Sequence, residues 1–218
     1  MPIPATDGEK LLAPLVAGLA ERGYGVVEGA VAPELVDRLI FDCRARETAG
    51  VMADAGIGRH QDHAVESGVR RVRASWLNGG GRGEEELLAL TERLRLAINR
   101  QLFLGLFEFE AQFLTYPPGG FYARHLDSLA GARNRVVSLV LYLNPGWTTA
   151  DGGELEIWSA RDADGPPTVT VAPRAGTLVA MLSEEIPHAV RPSSAVRRVI
   201  AGWFRVNASS DARIDPAR

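Results

Sequence analysis

The stretch Phe109-Glu-Ala-Gln-Phe-Leu-Thr-Tyr-Pro-Pro-Gly-Gly-Phe-Tyr-Ala-Arg-His-Leu-Asp127 marks where the chain changes character. An apolar run from Phe109 to Tyr116 reads as a strand. It breaks on Pro117-Pro-Gly-Gly120, resumes from Phe121 to His125, and ends on a carboxylate. Residues two apart on a strand share a face, so His125 and Asp127 can converge on one point. Downstream the pattern repeats as short apolar or alternating segments at 135–143, 154–158, 168–171, 177–182, 188–191 and 197–206, separated by Pro, Gly and Asn turns.

Upstream the period is helical. Thr6-x-x-Glu9 forms a capping box ahead of Leu11, Leu12, Leu15, Val16 and Leu19, which predicts a helix over 7–22. A short strand follows at 23–28, and Pro33 opens a helix that ends near Gly50. The longest helix is expected over 84–104, with acids in its first turn. Ala53 to Glu66 reads as a polar loop and Asn78 to Gly83 as a flexible connector. Helices followed by strands at sandwich-like spacing predict an α+β protein: a jelly-roll, or double-stranded β-helix, core over about 107–206, buttressed by helices from about 1–106. One domain over 1–218 with a short C-terminal tail is the expectation at this length.

Composition narrows the chemistry. The 218 residues include one Lys, Lys10, and one Cys, Cys43, so 23 of the 24 basic residues are Arg. A phosphate-binding P-loop and a Schiff-base enzyme both need a lysine in a site, and Lys10 lies in a polar N-terminal segment. A lone thiol excludes a disulfide framework and Cys-rich metal clusters; Cys43 is expected to be a packing residue. The net charge of −3 argues against nucleic acid as a partner. No apolar stretch approaches membrane-spanning length, and the charged N-terminus does not read as a signal peptide, so a cytoplasmic protein with no membrane contact is expected.

The candidate chemistry rests on four histidines: His60, His63, His125 and His188. His60-Gln-Asp62-His63 lies in a polar loop and reads as solvated. His125-Leu-Asp127 alone also fits a surface turn. His188 is the other histidine in β context, and two His with one carboxylate form the facial triad of a non-heme Fe(II) oxygenase, leaving three metal positions open. Arg197 follows His188 by nine residues across the turn Pro192-Ser-Ser-Ala195, which predicts neighbouring antiparallel strands facing one cavity. A buried guanidinium needs an anion, and 2-oxoglutarate suits both ends of the site: its keto oxygen and C1 carboxylate at the metal, its distal carboxylate at Arg197. O2 would take the remaining position. Arg198 points the other way on a strand and is expected in solvent.

Those motifs, with Val137-Ser-Leu-Val-Leu-Tyr-Leu-Asn144, Gly152-Gly-Glu-Leu155, and Pro187-His-Ala-Val-Arg-Pro192 through Arg197 to Trp203, resemble the 2-oxoglutarate-dependent prolyl hydroxylases. Among these the chain is most similar to bacterial relatives of the oxygen-sensing, HIF-type enzymes, over roughly residues 20 to 206. The resemblance implies that His125, Asp127 and His188 hold Fe(II), that Arg197 and Tyr142 bind the distal carboxylate, and that Tyr116 lines the same pocket. It implies that Tyr122, Arg135 and Trp203 face the substrate, and that the loop 56–63 covers it. Ascorbate enters as an accessory ligand on the same ground. The sequence departs from the family where Arg70-Arg-Val-Arg-Ala-Ser-Trp76 lacks an acid before the tryptophan, and where Ala201 replaces a hydroxyl residue.

The resulting expectation is a prolyl hydroxylase acting on a protein, with a translation elongation factor as a candidate acceptor, working as a monomer or weak dimer. A hydroxylase of a free amino acid or other small molecule is the first alternative. A jelly-roll sensor that binds metal without turnover is the second.

Overall fold

The computed structural model describes residues 7–54, 69–128, 134–159 and 164–207. The loop segment 56–63, with His60, Asp62 and His63, lies outside the described residues, as does Thr6 of the expected capping box.

Three helices pack on one side. Helix α1 (Asp7–Arg22) buries Leu12, Leu15, Val16 and Leu19, the spacing of a single helical face. It lies against β1 (Tyr24–Val27) so closely that a Cβ on Gly25 would sit 2.4 Å from the Leu15 carbonyl oxygen. No larger residue fits there without moving backbone. Helix α2 (Pro33–Thr48) starts on its proline and buries Val36, Leu39, Ile40 and Cys43. The inert role expected of Cys43 agrees with its full burial, which pushes its thiol pKa up to about 11. Helix α3 (Arg82–Leu102) begins and ends two residues earlier than the period predicted, and its chain reverses at Phe103 in the left-handed region, φ 54°.

The strands form two antiparallel sheets. The larger has the order β1-β9-β6-β11-β4-β3-β2, built from β1, β2 (Ala53–Asp54), β3 (Arg73–Trp76), β4 (Glu108–Tyr116), β6 (Arg135–Tyr142), β9 (Leu178–Leu182) and β11 (Arg197–Arg205). The smaller has the order β5-β10-β7-β8, from β5 (Tyr122–His125), β7 (Leu155–Ile157), β8 (Val169–Val171) and β10 (His188–Val190). This is the jelly roll expected from the strand spacing. The N-terminal half is not purely helical, however: β1, β2 and β3 all join the large sheet. Segment 53–54 falls in the expected polar loop and 73–76 matches no expected element; both are short and carry charge, and what stabilises them is pairing, β3 to β4 and β2 to β3.

Period-two alternation divides the apolar residues of the large sheet between two cores. Phe113, Val137, Leu139, Leu141, Ile200 and Phe204 meet the helices. Leu114, Tyr116, Tyr142, Val179, Met181 and Val199 point the opposite way and meet Leu155, Ile157, Val171 and Val190 of the small sheet. The second core is the space between the sheets, and the candidate residues lie in it.

Candidate metal centre and anion pocket

His125 ends β5 and His188 begins β10, and the two are direct cross-strand partners. Asp127 lies just beyond β5. One ligand atom from each of the three lies within 4.8 Å of the others. Asp127 Oδ1 is 3.4 Å from His125 Nε2, and its Oδ2 is 3.7 Å from His188 Nε2. The other ring nitrogens are occupied: His125 Nδ1 lies 2.9 Å from the Ala123 carbonyl and His188 Nδ1 lies 3.1 Å from that of Ile186. A carbonyl only accepts, so the tautomer with the proton on Nδ1 satisfies it in each ring and leaves each Nε2 available as a metal ligand.

The electrostatics match this arrangement. Burial, with repulsion from His125, pushes the His188 pKa down to about 4 against the pull of Asp127, so His188 is neutral at physiological pH. Burial alone would raise the Asp127 carboxyl, but the neighbouring His188 and His125 and a hydrogen bond from Ser138 outweigh it and hold it well below the carboxylate range. Two nitrogen donors and one carboxylate, clustered on one side of a cavity, fit a divalent iron with three free positions. Tyr122 stacks on His125, with ring centroids 3.5 Å apart, and restrains that imidazole.

Across the cavity, Arg197 opens β11. It is 1% exposed and forms no ion pair among the described residues; its Nε and Nη1 have no hydrogen-bond partner. Tyr116 and Tyr142, on the flanking strands β4 and β6, place their rings 4.9 and 5.2 Å from its guanidinium carbon. The Tyr142 hydroxyl is likewise buried, with no partner among the described residues beyond the neighbouring Arg197 guanidinium, and burial pushes its pKa up to about 12 against the pull of that cation, keeping it a donor. Orphaned buried donors around an uncompensated cation constitute a binding site for a carboxylate. The pocket is shaped by Gly153, φ +71°, whose missing Cβ would lie 2.8 Å from Ser193 Cβ and 3.1 Å from Arg197 Cδ.

His188 and Arg197 do not lie on neighbouring strands as the turn between them suggested. The chain crosses from the small sheet to the large one at residues 191–196, so they face each other across the sandwich. Arg198 does point to the opposite face, but it is not in solvent: Nε and Nη2 bind both oxygens of Glu47 on α2 at 2.9 Å.

The remaining candidates gather further along the same cavity. Trp203 is 7% exposed, with the Arg135 guanidinium 3.6 Å from its ring centroid and Trp76 at 6.4 Å. Strict alternation would turn Arg135 toward the helices. Between the pairs Phe204–Val137 and Arg205–Arg135 the register shifts, leaving Val136 unopposed, and this bulge turns Arg135 into the cavity. Glu108, Glu110 and Arg205, which no motif marked, complete the group.

A double-stranded β-helix that carries a two-His, one-carboxylate cluster opposite a buried, anion-seeking arginine defines an iron-dependent oxygenase that uses a dicarboxylate co-substrate. The family model for the 2OG-Fe(II) oxygenase superfamily matches residues 111–205. A prolyl-4-hydroxylase from Pseudomonas putida is 38% identical, aligning over 90% of this chain and 100% of its own with a TM-score of 0.80. This protein belongs to the 2OG-Fe(II) oxygenase superfamily, whose reaction uses Fe(II), 2-oxoglutarate and O2. Two more distant structures share the fold. A Trichoplax adhaerens prolyl hydroxylase in complex with a hypoxia-inducible-factor peptide fragment is 22% identical over 91% of this chain and 90% of its own, TM-score 0.78. A Phytophthora capsici prolyl 4-hydroxylase is 23% identical over 100% of this chain and 72% of its own, TM-score 0.72. No curated protein matches the sequence. No helix among the described residues is long and apolar enough to cross a membrane.

Proposed function

We propose that this protein hydroxylates prolyl residues in a protein acceptor. The observation that carries the reading is the pairing of the His125–Asp127–His188 cluster with the buried Arg197 and Tyr142 donors, which meet no anion among the described residues, between the two sheets. Similarity to the Pseudomonas prolyl-4-hydroxylase supports the substrate class, and the peptide held by the Trichoplax enzyme supports a chain rather than a free amino acid. Fe(II) with 2-oxoglutarate and O2 supplies the oxidation: the co-substrate leaves as succinate and CO2, one oxygen atom enters succinate, and the other becomes the acceptor hydroxyl.

His125, Asp127 and His188 hold the metal. Arg197 and Tyr142 bind and orient the distal carboxylate of 2-oxoglutarate, and Tyr116 packs on the Arg197 guanidinium and excludes water from the pair. Tyr122, Arg135 and Trp203 present the acceptor. The protein works in the cytoplasm, ascorbate serves as accessory reductant, and a translation elongation factor is the first acceptor to test.

The test is succinate release from anaerobically Fe(II)-loaded enzyme after O2 is admitted. A proline-containing peptide should stimulate release and be hydroxylated, and His125→Ala should abolish both. Stimulation by free proline alone would assign a small-molecule acceptor; binding of Fe(II) and 2-oxoglutarate with no O2 consumption would make the protein a sensor.

A further inference from the structure

The charged cluster around Trp203 has a composition that the iron chemistry does not require. Arg135 Nε donates to Glu110 Oε1 at 2.8 Å and its Nη2 lies 2.7 Å from the same oxygen, while the guanidinium lies on the Trp203 ring. The Glu110 side chain is 5% exposed, and its second oxygen lies 3.8 Å from Arg205 Nη1. Arg205 also pairs with Glu108. Among the described residues the cluster thus sets two carboxylates against two guanidiniums.

The cluster is close to the metal site. Glu110 and Ser138 are the cross-strand neighbours of Trp203 on either side, and Ser138 hydrogen-bonds Asp127. Trp76, 45% exposed and 6.4 Å from the Trp203 ring, marks where this row meets solvent. A guanidinium free in such a groove would select an acceptor carrying a carboxylate. Here that charge is already bound, and among the described residues the neutral Trp203 Nε1–H is a buried donor without a hydrogen-bond partner.

We propose that Glu110 is a positioning and specificity-determining residue. By holding Arg135 flat on Trp203 it removes that charge from recognition, so the groove selects an uncharged segment around the target residue. The inference rests on the assignment of Arg135 and Trp203 to the acceptor side.

The experiment compares two fluorescent proline peptides that differ only in having Asn or Asp on either side of the proline, tested on the Fe(II)- and 2-oxoglutarate-loaded enzyme. The parent should hydroxylate the Asn peptide at least as well as the Asp peptide. Glu110→Gln keeps the side-chain shape and frees Arg135, and should shift the preference toward the Asp peptide by about tenfold, through KM rather than kcat. Because Glu110→Gln also leaves buried cations under-compensated, a double variant, Glu110→Gln with Arg135→Met, should recover thermal midpoint yet gain no acidic preference. An unchanged preference in Glu110→Gln, or an equal gain in the double variant, would overturn the inference. If the parent hydroxylates neither peptide, the proline reading fails on its own. Anaerobic binding measured by anisotropy then decides the inference: Glu110→Gln must acquire affinity for the Asp peptide over the Asn peptide, and failure to do so overturns it.

Discussion

Replacing Arg197 by Met separates binding from architecture, because the structure gives the two roles opposite signs. Arg197 is 1% exposed, lies between the Tyr116 and Tyr142 rings, and has Nε and Nη1 without partners. Without co-substrate, an uncompensated buried cation destabilises the fold, so a Met that keeps the aliphatic stem should leave the ligand-free unfolding midpoint unchanged or raise it. With co-substrate, the variant loses a charge-assisted, bidentate contact worth about 2–3 kcal/mol, which corresponds to a rise in the 2-oxoglutarate Kd of about 30- to 150-fold. Both numbers come from one assay, an anaerobic thermal-shift titration of the Fe(II)-loaded protein with 2-oxoglutarate, since ligand stabilisation grows as RT ln(1 + [L]/Kd). A fall of about 3 kcal/mol in ligand-free stability with the Kd intact would refute the reasoning and make Arg197 a core residue.

Three further expectations follow from the same geometry. Gly153→Ala places a methyl against Ser193 and the Arg197 stem at a positive φ, and should cost about 1–3 kcal/mol in stability and weaken 2-oxoglutarate binding, read by chemical denaturation and calorimetry. Glu47→Gln breaks the bidentate pair with the one-fifth-exposed Arg198 on the far face of β11, and should cost about 1 kcal/mol in a denaturant melt with no change in 2-oxoglutarate Kd; a changed Kd would contradict the separation of the two faces. His188 has its pKa lowered from 6.5 to about 4 in the folded chain, so the unfolded chain takes up that proton first. The metal-free midpoint should therefore fall as pH drops from about 6.5 toward 4, with a slope that His188→Gln reduces; an unchanged slope would show that the proton goes elsewhere.

Much of this was legible in the sequence because it depends on local periodicity. The three helices, the long strands and the face on which His125 and Asp127 converge all follow from spacing within one element. The facial triad needed only one more residue in β context, His188. The features that escaped depend on how distant strands pair. The bulge at Val136 that turns Arg135 into the cavity is a register property of β6 and β11, invisible in Arg135-Val-Val-Ser138. The strand Arg73–Trp76 forms because β4 offers it an edge. Glu110 carries no motif in the sequence; its partners, Arg135 and Arg205, come from elsewhere in the chain. Arg198 was placed on the correct face, but Glu47, 151 residues away, decides its environment.

Hydroxylation of proline in a protein leaves a mark that can be read in the cell. The most direct measurement is quantitative mass spectrometry of the host proteome, comparing cells that carry the parent protein with cells that carry the Asp127→Ala variant. At least one tryptic peptide should carry a proline that gains the mass of one oxygen atom in the parent alone, and loses it when iron or O2 is withheld. Identical proline oxidation in both strains, alongside parent-dependent hydroxylation of a free metabolite, would contradict it.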